Sequence, residues 1–92
     1  MPNQMQTAGY KANLSATANI SPRPCDLLGI FVSAASATPT ITVYDSATTT
    51  TADPIVTVFT PAASTFYPMP AATKAGLYVV IGGTVNCTIF FA

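Results

Sequence analysis

The sequence contains no histidine, no tryptophan and no glutamate. Without imidazole the commonest general acid and base is missing, and Asp26, Asp45 and Asp53 are the only side-chain carboxylates. They are scattered singly, without the ligand spacing of a calcium loop or the pairing of a glycosidase, so loop capping and solubility are their expected roles. No catalytic residue, no cofactor and no metal site is expected. Charge is equally scarce. Charged residues make up 7% of the chain and the formal net charge is +0, against about 25% charged residues in ordinary soluble domains. Lys11, Arg23 and Lys74 are far apart in sequence, which argues against nucleic acid as a partner, because phosphate neutralisation needs clustered cations. A neutral, charge-poor surface is also poorly protected against association.

Cysteine is limited to Cys25 and Cys87, and neither sits in a Cys-x-x-Cys or Cys/His pattern, which excludes the usual zinc and redox motifs. Both are expected as buried, reduced thiols; a bridge between them stays open, since neighbouring strands can bring two cysteines within reach. No uninterrupted apolar run approaches the ~20 residues of a membrane helix, and no partner membrane is expected. The first residues, Met1-Pro2-Asn3-Gln4-Met5-Gln6-Thr7, show no basic region followed by an apolar segment, so no secretory signal is expected.

What the chain does contain is β pattern. Its 92 residues suit one domain. Residues 1–9 lack periodicity and read as a flexible arm, with residues 10–92 forming a single β-sandwich domain. Tyr10, Ala12, Leu14, Ala16, Ala18 and Ile20 alternate with polar residues, which predicts one half-buried strand before the break at Ser21-Pro22-Arg23-Pro24. Leu27 to Val32 form a continuous apolar run, expected as a central strand covered on both faces, with a buried helical turn as the rival reading. Thr40 to Asp45 and Ile55 to Thr60 are further strands, separated by a Thr-rich exposed loop. Thr65-Phe66-Tyr67-Pro68-Met69-Pro70 is confined by its prolines to a sheet edge or a crossover.

The C-terminal stretch Gly76-Leu77-Tyr78-Val79-Val80-Ile81-Gly82-Gly83-Thr84-Val85-Asn86-Cys87-Thr88-Ile89-Phe90-Phe91 places two β-rich runs around a Gly-Gly pair, the pattern of a tight hairpin with positive φ at both glycines. In that register Tyr78, Val80, Val85, Cys87 and Ile89 form the core face. Leu77, Val79, Ile81 and Phe90 then fall on the opposite face, too apolar for free solvation, and become the candidate oligomer or partner interface. Phe66, Tyr67, Phe90, Phe91 and Tyr44 are read as core and interface packing rather than as a stacking platform. About seven short strands without an amphipathic helix predict an all-β fold, an antiparallel β-sandwich of jelly-roll-like type.

The segments Pro24-Cys25-Asp26-Leu27-Leu28-Gly29-Ile30-Phe31-Val32-Ser33, Thr40-Ile41-Thr42-Val43-Tyr44-Asp45, Phe59-Thr60-Pro61, Thr65-Phe66-Tyr67-Pro68-Met69-Pro70 and Gly76-Leu77-Tyr78-Val79-Val80 resemble the small β-sandwich virion proteins of tailed bacteriophages. The likeness runs from about Tyr10 to Phe91 and is one of strand and turn texture. It implies a non-enzymatic structural protein of the virion, assembled in the host cytoplasm. The type it implies is a capsid cement or decoration protein, commonly a homotrimer, that stabilises the shell by bridging major capsid protein subunits. The alternative is a sugar- or receptor-binding β-sandwich module of a tail or fibre.

Overall fold

The computed structural model describes residues 9–36 and 38–92. Apart from Gly9, the arm expected over residues 1–9 therefore lies outside the described residues. Among the described residues the chain forms eight strands and no helix: β1 (Tyr10–Leu14), β2 (Ala18–Ser21), β3 (Asp26–Ala35), β4 (Thr40–Tyr44), β5 (Pro54–Phe59), β6 (Thr65–Ala72), β7 (Leu77–Gly82) and β8 (Val85–Phe91). Two four-stranded antiparallel sheets pack face to face, one in the order β1-β8-β3-β6 and the other β2-β7-β4-β5. The pairs β1 with β8, β2 with β7, β3 with β6 and β4 with β5 nest inside one another. This is a long hairpin rolled into a sandwich, the connectivity of a jelly roll.

The core comes from the two central strands of each sheet. Leu27, Ile30 and Val32 of β3, Val85, Cys87 and Ile89 of β8, Ile41 and Val43 of β4, and Leu77 and Val79 of β7 are buried between the sheets. Each such aliphatic side chain contributes about 1.5–3 kcal/mol on burial. At one margin Phe59 of β5 meets Tyr67 of β6 edge to face at 5.2 Å, closing the gap between the two sheets. The prolines of β6 sit where their missing donors are tolerated, since β6 is an edge strand paired only to β3. β3, as expected of the Leu27–Val32 run, is central in its sheet, but only one of its faces is covered: Leu27, Ile30 and Val32 face the core while Phe31 stands exposed on the outer face, where no layer packs among the described residues.

Two expectations are corrected. The alternation from Tyr10 to Ile20 is one sequence pattern but two strands. After Leu14 the chain turns through Ser15-Ala16-Thr17 and crosses to the other sheet, where Thr17 Oγ1 accepts a hydrogen bond from the Ile81 N–H at 2.9 Å. The count is therefore eight strands rather than seven. A turn built from small and hydroxyl residues preserves the period of two while changing sheets, which is why periodicity alone reads straight through it.

The Gly82-Gly83 pair is likewise not a hairpin loop. β7 and β8 belong to different sheets, Gly82 ends β7 opposite Thr40, and Gly83 alone among the described glycines has positive φ, at 75°. The chain passes between sheets through Gly83-Thr84. Thr84 is held by β3's end, its carbonyl accepting the Ser36 N–H at 2.9 Å and its N–H donating to Ser36 Oγ at 3.3 Å. A crossover changes which residues share a face. Leu77 and Val79 turn inward with Val85, Cys87 and Ile89, whereas Tyr78 and Val80 turn out.

Candidate interaction surface

The inward turn of Leu77 and Val79 dismantles the surface expected from Leu77, Val79, Ile81 and Phe90. Leu77 and Val79 are fully buried in the core, and Ile81 is half-buried at its margin. Phe90 alone points out of the sandwich, on the outer face of the β1-β8-β3-β6 sheet. The structure brings it together with Phe66, which the sequence groups with it among the core and interface aromatics, and with Phe31, which the sequence pattern does not single out. On β3, Phe31 stands beside Phe66 of β6 in register, and Gly29 lies between Phe90 of β8 and Pro68 of β6. The Phe66 ring reaches across Gly29 and meets Phe90 edge to face, with centroids 6.2 Å apart and planes at 66°. Phe31 is 38% and Phe66 50% exposed. Three aromatic rings and Pro68 thus form an apolar half-face, with Lys11 of β1 in register with Phe90 at its rim.

The other half of the same face is polar and internally bonded. Thr88 Oγ1 and Asn13 Oδ1 lie 2.9 Å apart, and Ser33 Oγ donates to the Asn86 carbonyl at 3.0 Å. Asn13, Thr88, Ser33 and Asn86 line a shallow recess of about 360 Å³. The other aromatic residues with ring contacts meet only in pairs away from this face. Tyr67 faces inward to Phe59, Phe91 packs with Tyr10 at 5.7 Å, and Tyr44 pairs with Tyr78 on the opposite sheet at 6.0 Å.

The Asp45 N–H donates to the Asp53 carbonyl at 2.8 Å, yet among the described residues no group of three His, Cys, Asp or Glu side chains is placed to hold a metal ion. Asp45 has a structural task. Its Oδ2 accepts the Lys74 N–H at 2.8 Å, and its Oδ1 accepts those of Ala75 at 2.8 Å and Gly76 at 3.3 Å, tying the end of β4 to the β6–β7 loop. The Lys74 N–H foremost holds the carboxyl below its ordinary pKa. Partial desolvation opposes that, and the Ala75 and Gly76 N–H groups and the Lys74 ammonium reinforce it. Capping, the role expected for these carboxylates, is what Asp45 performs.

No protein-family model, curated protein or solved structure matches the chain.

Buried Thr73 and Ser46 likewise join or anchor loops. Thr73 Oγ1 accepts the Cys25 N–H at 2.9 Å, while the Thr73 N–H donates to the Cys25 carbonyl at 2.8 Å. Ser46 Oγ accepts the N–H groups of Thr48 and Thr50 at 3.0 and 3.1 Å, and Asn19 Nδ2 donates to the Ser46 and Thr48 carbonyls. The Thr-rich loop is therefore exposed at its tip but anchored at its start. Cys25 is half-buried and Cys87 buried, both as free thiols.

Proposed function

We propose that this chain is a non-enzymatic structural subunit of a tailed-phage virion, a capsid cement or decoration protein that bridges major capsid protein subunits and assembles as a homo-oligomer, in the first place a trimer. The observation that carries the reading is the aromatic half-face formed by Phe31, Phe66 and Phe90. Apolar side chains gathered on an outer sheet face are the surface feature expected of a subunit that buries them against a neighbour. The low charge of the chain favours the same association, because it provides little repulsion between copies. The jelly-roll connectivity and the resemblance of the strand segments to small phage virion proteins are compatible with it. The mechanism is additive: each copy adds buried area across a capsomer boundary and raises the cost of separating the subunits on either side.

The test is whether purified protein binds assembled capsids, with light scattering on the protein alone. Binding that raises the capsid's melting temperature, and that a Phe31→Glu/Phe66→Glu variant loses while remaining folded, supports the proposal. A monodisperse monomer at tens of micromolar that leaves capsids unaffected overturns it. Binding to free glycans instead would transfer the polar recess and its neighbour Phe31 to a receptor-binding role.

A further inference from the structure

The four edge strands differ in how well they can receive another strand. β6 carries Pro68 and Pro70, which have no N–H to donate, and its register with β3 breaks between Leu27 and Gly29. β5 breaks register with β4 twice, and β2 shifts against β7 between Asn19 and Ser21. Bulges of this kind twist an edge away from pairing. β1 is different. It runs in unbroken antiparallel register from Tyr10 opposite Phe91 to Leu14 opposite Cys87. On the side away from β8, alternate residues direct their N–H and C=O groups outward as a straight row.

The start of this edge borders an open cleft of about 560 Å³ where the two sheets part. Tyr10, Lys11, Ile20, Arg23 and Phe91 are among its walls. Lys11 and Arg23 are two of the three cationic side chains in the chain, and the described residues around the cleft include no Asp or Glu, although Ala92 among them is hydrogen-bonded to Asp26 through both of its backbone groups. Tyr10, 69% exposed and packed on Phe91, supplies an apolar wall beside them. In a protein with so little charge, two cations sharing one cleft give it a sign.

We propose that the β1 edge binds an extended acidic segment of a partner protein, which adds as a fifth strand to the β1-β8-β3-β6 sheet and places a carboxylate in the cleft shared by Lys11 and Arg23. Backbone pairing supplies affinity, and the cleft selects charge and fixes where the strand begins. A second copy of the chain is the poorer occupant, since a symmetric pairing brings both copies' Lys11 and Arg23 to one interface. The proposal does not rest on the virion reading: of the residues it uses, only Lys11 also borders the aromatic half-face, and Arg23 and Tyr10 lie outside it.

The experiment titrates the isotope-labelled full chain with a blocked peptide of alternating valine and glutamate, and with its valine and glutamine counterpart, followed by NMR. The expected result is chemical-shift change and slowed amide exchange confined to β1 and the cleft, with the glutamate peptide bound at least about tenfold more tightly and less tightly as salt rises. Arg23→Glu and Lys11→Glu, both at exposed side chains, should each weaken binding by about tenfold with the melting temperature unchanged. Equal binding of the glutamine peptide, shifts centred on β2, β5 or β6, the same shifts produced by inorganic phosphate alone, or no binding at millimolar peptide would each overturn the proposal.

Discussion

The ring of Phe66 covers Gly29: a Cβ placed on that glycine would stand 2.6 Å from Cζ and 2.8 Å from Cε1 of the ring, and 3.0 Å from the Tyr67 carbonyl oxygen. An aromatic side chain laid across a strand glycine restores the packing that the missing side chain forfeits. Gly29→Val should therefore destabilise the fold by about 1–3 kcal/mol, because ring and carbonyl must both give way. Urea denaturation reads the loss. Removing the ring as well, in Gly29→Val/Phe66→Ala, should recover part of it, and strictly additive losses would show that the two residues do not share the space.

Leu77 and Phe90 separate core from surface. Leu77→Ala should cost about 2–5 kcal/mol through the cavity it leaves between the sheets, whereas Phe90→Ala should cost far less in the isolated chain. Similar losses at the two positions, measured by denaturant titration, would contradict the inward turn of β7.

Asp45 predicts an acid limb of stability. Its pKa in the folded chain lies below the ordinary 3.8, so the unfolded chain binds the proton more readily. The stabilisation is complete above that ordinary value and is lost as pH falls through the lowered folded pKa. Asp45→Ala should cost about 1–2 kcal/mol at neutral pH, a charge-assisted cap discounted for its contact with water, and the difference from the parent should shrink on acidification below pH 3.8. A difference that stays constant to pH 2 would remove the carboxylate from the account.

Gly83, with φ of 75°, should resist β-branched substitution. Gly83→Val is expected to lower stability by about 1–2 kcal/mol and Gly83→Asn by less, since asparagine tolerates the left-handed region. Equal melting temperatures for all three proteins would mean that the inter-sheet passage does not need that conformation.

The two thiols should react in order. Burial pushes the Cys87 thiol above its ordinary pKa, while Cys25 is half-buried. A thiol reagent should label Cys25 in the folded chain and reach Cys87 only as rapidly as the sandwich opens. Labelling of Cys87 at the pace of an exposed thiol would contradict its place in the core.

The class of fold is legible in the sequence because β-branched runs of five or six residues, punctuated by proline and glycine, leave little else for the chain to form. The inward residues of β4, Ile41 and Val43, and of β8, Val85, Cys87 and Ile89, follow directly from alternation. What alternation does not carry is the sheet to which a strand belongs. Thr17 and Gly83 each sit in a connection that changes sheets without breaking the period of two, so the residues before and after read as one strand in the first case and as one hairpin in the second. The candidate surface inherits that error: the face of β7 depends on its partner strand, and Phe31 and Phe66 become neighbours of Phe90 only once β3 stands between β6 and β8. The Asp45 cap has no local signal either, since its donors at Lys74, Ala75 and Gly76 come from the far side of two intervening strands.

The position of β8 between β1 and β3 has a consequence for synthesis. Of the eight described strands β1 is made first and its neighbour β8 last, so one side of β1 and the side of β3 opposite β6, at Ile30 and Val32, wait without their partner until β8 has emerged from the ribosome. Pairings of such long sequence separation form late and slowly. The nascent chain therefore cannot complete its sandwich in stages, and its most exposed moment for aggregation, or for capture by a chaperone, falls just before the last strand arrives.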